Sequence, residues 1–225
     1  MRGNEEARVV LTPIATPLPL TFVGLLIASL ILSGLELGWV PASETHIAGW
    51  VLLGVPLPLQ LVAAVFGFHG RSATAATGSS TLAAAWLGVA LALINAKPGA
   101  FVPSHAVAML AIGVAAALLI PAASDLRAGA PLAAAVLVVA SIRFTVTAVT
   151  GLTQSDGLRH TTGILGLVVA AVALYAALAL ELEDNAVEDT LLPTFRVRDS
   201  ARALTAPLDV QVEQLENEAG VRKNL

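Results

Sequence analysis

The sequence has no cysteine, few charged residues and few aromatic residues. Without cysteine, disulfides, thiolate metal ligands and cysteine nucleophiles are excluded. Charged residues make up 12% of the chain, whereas soluble domains carry roughly 25%. So few charges cannot cover a water-facing surface of 225 residues, which excludes an ordinary soluble protein. The net charge of −4 offers no basic surface for phosphates, which excludes a nucleic-acid-binding protein.

Sequence motifs of enzymes are missing as well. The chain contains no nucleophile elbow, no phosphate-binding loop and no paired catalytic carboxylates. Its four histidines lie at the ends of apolar segments, and none is spaced with a second type of ligand as in a metal site. We therefore expect neither an enzyme, nor a cofactor, nor a metal site.

Long apolar segments dominate the chain, with 56% hydrophobic residues and a mean hydropathy of +0.82. A helix needs about 20 apolar residues to cross the hydrocarbon core of a bilayer. Six segments meet this length, and short loops with charged or turn-forming residues separate them. The sequence therefore predicts an all-α membrane protein with six transmembrane helices, at residues 18–40, 47–68, 77–95, 105–123, 130–151 and 161–182.

Loop charges predict the orientation of these spans. An even number of spans places both termini on one side of the membrane, and positive loop residues favour the cytoplasm. Four arginines lie on the side of the termini, namely Arg2, Arg8, Arg71 and Arg127. The loops on the opposite side carry Lys97 and Arg159 beside the acidic residues Glu36, Glu44 and Asp156. We therefore predict an integral protein of the cell membrane with both termini in the cytoplasm.

The last residues differ in character from the six spans. Apolar residues recur at helical spacing between Pro207 and Gly220, which are typical start and stop residues of a helix. We therefore predict a transmembrane domain at residues 1–194, followed by a cytoplasmic tail at residues 195–225 with a short amphipathic segment.

Arg143 is the residue that lipid tolerates least. It lies in the middle of the fifth predicted span, where an arginine costs about 2.5–3.5 kcal/mol on insertion scales. Ser141 and Thr147 make the same helix more polar nearby. One interpretation is that Arg143 faces a water-filled path and attracts a carboxylate. The alternative is a structural arginine that bonds to helix carbonyls or extends to the membrane surface.

Prolines are the second unusual feature. Pro17 and Pro19 open the first span, where they are also compatible with an ordinary helix start. Pro56 and Pro58 interrupt the second span, and Gln60 follows them. Proline-interrupted spans often mark a binding site at mid-membrane depth in transporters.

Hydroxyl side chains form a third cluster, at the start of the third span. Ser79, Ser80 and Thr81 follow Thr74 and Thr77. Such hydroxyls can line an anion path, or they can bond back to the preceding helical turn.

Four stretches of the sequence resemble the acetate uptake transporter family, which includes the succinate–acetate permeases. The resemblance covers residues 13–194, and Thr16 and Thr21 replace the asparagine and glycine of the family's first motif. The first stretch, Ala15–Gly24, resembles the family motif Asn-Pro-Ala-Pro-Leu-Gly-Leu. The other three stretches are Gln60–Trp86, His160–Tyr175 and Thr190–Pro193, and the last of these resembles the tail motif of the family.

The resemblance implies a fold and a function. It implies six transmembrane helices around a narrow central path and assembly as a homo-hexamer. It also implies transport of small carboxylate anions such as acetate, with succinate as a further candidate, by proton-linked uptake or by channel-like conduction. Together with the unusual residues above, it predicts a substrate path formed by Thr16, Pro17, Pro19, Leu20, Gln60, Ser79, Ser80, Thr81, Ser141, Arg143 and Thr147.

A function from another class is compatible with the same sequence. The protein could be a membrane scaffold or sensor that transports nothing and acts through its cytoplasmic tail. Flux measurements with and without the tail distinguish the two hypotheses.

Overall fold

A computed structural model describes residues 15–97, 103–185 and 192–195. Within these ranges the chain forms α-helices, one short 3-10 helix at Ala42–Glu44 and no β-strand. The α-helices are α1 (Leu18–Glu36), α2 (Thr45–Gly54), α3 (Pro56–His69), α4 (Ala73–Ile94), α5 (His105–Arg127), α6 (Pro131–Thr153) and α7 (Asp156–Asn185).

Six helical segments in the described part of the chain are long and apolar enough to cross a membrane. The second of them, Ala42–His69, combines the 3-10 helix with α2 and α3. This confirms the predicted fold class, an all-α membrane protein with six spans. The orientation of the termini stays a prediction, and the tail predicted at residues 195–225 lies outside the described residues except for Phe195.

Helix ends follow local sequence signals. Ser72 caps α4, because its Oγ accepts a hydrogen bond from the Ala75 N–H at 3.4 Å. Ser104 caps α5 in the same way, with a distance of 3.3 Å to the Val107 N–H. Pro131 stands in the first turn of α6, where its missing N–H leaves no helical hydrogen bond unmade.

The second span is broken at Val55, between α2 and α3. Pro56 and Pro58 carry no N–H, so the carbonyls of Leu52 and Gly54 lose their helical donors. Gly54, Val55 and Pro58 are exposed on the outside of the helical bundle. The predicted interruption is therefore present, and it lies on the outer surface.

Four helices are arranged around a common centre. α1, α4, α5 and α6 surround it. α2 packs on α4 from outside, α3 packs on α4 and α1, and α7 packs on α1 and α6. We call the end of the bundle where α1 begins the Leu18 end, and the end where α1 finishes the Glu36 end. Consecutive spans run antiparallel, so α4 ends and α5 begins at the Glu36 end.

Candidate functional site

A cavity of about 360 Å³ enters the bundle from the Glu36 end. α1, α4, α5, α6 and the segment between α4 and α5 line it. Lys97 and Ser104 are exposed and lie at its mouth, whereas Arg143 and Phe144 are buried and form its inner wall. The cavity therefore connects the surface with the charged residue that lies deepest in the predicted spans.

Arg143 forms a buried ion pair with Glu36 in the wall of this cavity. The Nη2 atom of Arg143 lies 3.2 Å from Oε2 and 3.4 Å from Oε1 of Glu36. The two residues are only 2% and 3% exposed. Arg143 lies ten residues before the end of α6, or about 15 Å along the helix. The pair therefore joins α1 to α6 well inside the bundle.

Sequence reasoning missed Glu36, which it placed among the solvated loop charges. The structure corrects this, because Glu36 is the last residue of α1 and is buried against α6 and α7. A helical signal was available in the sequence: Ser29, Ser33 and Glu36 are spaced by four and three residues, which places them on one face of a helix. A polar face of this kind predicts a polar partner on a neighbouring helix.

Small residues on α7 make room for the ion pair. A Cβ atom added at Gly166 would overlap Ser33 Oγ and lie 2.7 Å from Arg143 Nε. A Cβ atom added at Gly163 would lie 3.2 Å from the Cβ of Glu36. The absence of a side chain at both positions lets α7 approach the ion pair closely.

Gly166→Ala is expected to displace Arg143 and to destabilise the protein by roughly 1–3 kcal/mol, the usual cost of overpacking. Gly113→Ala is the matched control, because a Cβ atom at this helical position meets no atom within 4 Å. The control should be neutral or slightly stabilising, since alanine favours helices over glycine. Thermal unfolding in detergent measures both variants. Equal melting temperatures would contradict the close packing of α7 on Arg143.

A second cavity, of about 240 Å³, lies at the Leu18 end. Polar residues from four parts of the chain line it, namely Thr16, Ser72, Thr74, Asp125 and Thr194. Thr194 belongs to residues 192–195, which fold back onto the end of α7. There the hydroxyl of Thr194 donates to Glu183 Oε1 at 3.1 Å, and the hydroxyl of Tyr175 donates to the carbonyl of Pro193 at 2.8 Å.

Buried apolar side chains lie between the two cavities. α1, α4, α5 and α6 contribute them, namely Phe22, Leu25, Leu82, Leu118 and Leu137. Around Gly78 the helices pack at ordinary van der Waals distance, since a Cβ atom there would lie 3.8 Å from Leu137 and 3.9 Å from Pro121. Trp86 packs against Phe144, with 5.7 Å between the ring centroids. The same four helices therefore carry a cavity at each end and an apolar barrier in the middle.

Two predicted path residues near the Leu18 end, Gln60 and Ser79, are joined by hydrogen bonds through Thr21. The Thr21 and Ser79 hydroxyls are 2.7 Å apart, and Gln60 Nε2 donates to the Thr21 carbonyl at 3.1 Å. Thr16 lines the cavity at this end, while Pro17 and Pro19 are buried at the start of α1. Leu20, Ser80 and Thr81 are half-buried and line neither cavity.

The predicted residues of α6 divide between two environments. Thr147 lines the Glu36-end cavity with Arg143, and its hydroxyl donates to the Arg143 carbonyl at 3.0 Å. Ser141 donates to the Ala115 carbonyl at 2.8 Å, which ties α6 to α5. It lines a groove between α5 and α6 rather than either cavity. The structure thus groups Arg143 with Thr147, and Gln60 with Ser79.

These features define a six-helix integral membrane protein in which four helices carry a cavity at each end. A bacterial acetate channel, SatP, shares this fold: the TM-score is 0.69, and the match covers 80% of this chain and 99% of that chain. The two sequences are 18% identical, so the likeness establishes the fold. No protein-family model and no curated protein matches the sequence.

Proposed function

We propose that this protein carries small carboxylate anions such as acetate across the membrane. The observation that carries the proposal is the position of Arg143, a buried cationic residue in the inner wall of a cavity. The fold shared with an acetate channel supports the same function. The path runs from the Glu36-end cavity between α1, α4, α5 and α6 to the Leu18-end cavity, and the apolar barrier separates the two ends.

The charges of the Glu36-end cavity favour an anion. Its lining residues include the cations Lys97 and Arg143 and the anion Glu36, so the net charge of these described residues is +1. Lys97 lies at the mouth, where a cation raises the local concentration of anions. A guanidinium further inside can hold a carboxylate by charge-assisted hydrogen bonds. The volume of about 360 Å³ suits a small solute.

The proposal includes membership of the acetate uptake transporter family. The four sequence stretches and the shared fold support this membership. Succinate as a further substrate, a homo-hexamer and two cytoplasmic termini are parts of the same proposal. The predicted path residues outside the two cavities also belong to it, and among them Ser79 and Ser141 have their hydroxyl groups in hydrogen bonds within the bundle.

Flux into liposomes tests the proposal. Purified protein in liposomes should take up radiolabelled acetate at pH 7.5 faster than protein-free liposomes, and unlabelled acetate should compete. Acetamide, a neutral molecule of similar shape, should not compete, because it lacks the charge that Arg143 attracts. Removal of residues 196–225 leaves every described residue in place and should leave the flux unchanged. Uptake equal to that of protein-free liposomes would contradict transport and favour the scaffold or sensor hypothesis.

A further inference from the structure

We propose that Glu36 occupies the carboxylate-binding position of Arg143 in this structure, and that a substrate carboxylate replaces it when Glu36 takes up a proton. The inference rests on the proposed function and assigns its coupling to protons.

The ion pair uses only part of the guanidinium. A single nitrogen, Nη2, contacts both carboxylate oxygens, whereas a guanidinium can offer two parallel donors to a carboxylate. Arg143 Nε is buried and has no hydrogen-bond partner among the described residues. Ser33 Oγ is also buried without a partner, and it faces Gly166 beside Arg143 Nε. The site therefore keeps unused hydrogen-bonding capacity beside a bound carboxylate.

Arg143 keeps its positive charge in every state of the site. A guanidinium does not lose its proton in proteins, so its charge persists through any change of state. Glu36 is the single acidic side chain among the described residues that line this cavity. A substrate that enters as an anion would place a second carboxylate at the same cation. Two carboxylates that share one site repel each other, and one of them takes up a proton.

The exchange conserves charge and atoms. A hydronium ion gives up a proton: one of its O–H bonds breaks, an O–H bond forms on one carboxylate oxygen of Glu36, and a water molecule is left. Neutral Glu36 leaves the guanidinium, and the substrate carboxylate takes its place. The net charge of the pair at Arg143 is zero before and after, so one proton accompanies each carboxylate into the site. Release of the substrate reverses these steps.

Other charged groups at the Glu36 end also act on this carboxylate. From α7, the positive charge of Arg159 acts on Glu36, and Arg159 itself lies 3.8 Å from Asp156. Lys97 lines the same cavity from the segment after α4. Exposed titratable residues at this end, which a pH experiment must separate from Glu36, are Glu44, His46, His105, Asp156 and His160.

Acetate binding at two pH values tests the inference. The affinity of the full-length protein in detergent, measured by isothermal titration calorimetry, should be higher at pH 5.5 than at pH 7.5. Because one proton is taken up with each acetate, the affinity for acetate should change by up to about tenfold per pH unit. Glu36→Gln, which resembles the protonated carboxyl, should bind acetate with an affinity that no longer depends on pH. His105→Gln is the control, because it removes a titratable group near the cavity mouth and should keep the pH dependence.

Proton uptake by the unchanged protein gives an independent measurement that does not depend on the folding of a variant. Addition of acetate at pH 7.5 in a weak buffer with a pH indicator should consume about one proton per acetate bound. Acetate binding without proton uptake, or a pH dependence that persists in Glu36→Gln, would overturn the coupling and leave the proposed transport intact. The absence of acetate binding at both pH values would instead overturn the proposed function.

Discussion

Replacing Arg143 with leucine alone is expected to destabilise the protein by about 3–5 kcal/mol, because the Glu36 carboxylate would stay buried without its partner. At 2–4 °C per kcal/mol for a chain of this size, the melting temperature should fall by roughly 6–20 °C. Thermal unfolding of the purified protein in detergent measures this change.

The double variant with Glu36→Leu and Arg143→Leu is the matched control. It removes both charges and leaves apolar side chains in a buried position, which is often neutral or stabilising for a buried ion pair. We expect its melting temperature to lie close to that of the unchanged protein. If the single variant melts within 2 °C of the unchanged protein, the ion pair contributes little and Glu36 does not depend on Arg143.

The six spans were predictable because the bilayer imposes a length and an apolar composition on every helix. Five of the six predicted spans agree with α1, α4, α5, α6 and α7 apart from a few residues at their ends, and α7 begins earlier, at Asp156. The break of the second span was predictable from Pro56 and Pro58, since neither can donate a backbone hydrogen bond. Its exposure on the outer surface depends on packing against α4, which sequence periodicity does not specify.

Of the two charged residues that form the buried ion pair, Arg143 was predictable from the sequence and Glu36 was not. The cost of a charge in the bilayer identified Arg143 from the sequence alone, because its neighbours on both sides are apolar. Glu36 stands at the end of an apolar run, where a solvated loop charge and a buried partner have the same local sequence. The two residues are 107 positions apart. Their contact arises from the packing of α7 on α1 and α6, where Gly163 and Gly166 leave room for it.

The double variant with Glu36→Leu and Arg143→Leu should also lose most of its acetate flux, and here its expected stability is an advantage. A loss of flux in a variant that melts normally cannot be attributed to unfolding. Hydrogen bonds to a charged group contribute about 1.5–3 kcal/mol, so the loss of the guanidinium predicts a fall of roughly 10- to 100-fold in flux at low acetate concentration. Radiolabelled acetate uptake into liposomes at equal protein density measures the effect.

Arg143→Lys completes this series, because it keeps the charge beside Glu36 and removes the planar arrangement of donors. We expect intermediate flux and a melting temperature nearer to that of the unchanged protein than to that of Arg143→Leu. The order of flux should therefore be unchanged protein, then Arg143→Lys, then the double leucine variant. If the double variant instead carries acetate at the full rate, no guanidinium is needed in the path. The ion pair would then hold α1 and α6 together, and the cavity at the Glu36 end would not select carboxylates.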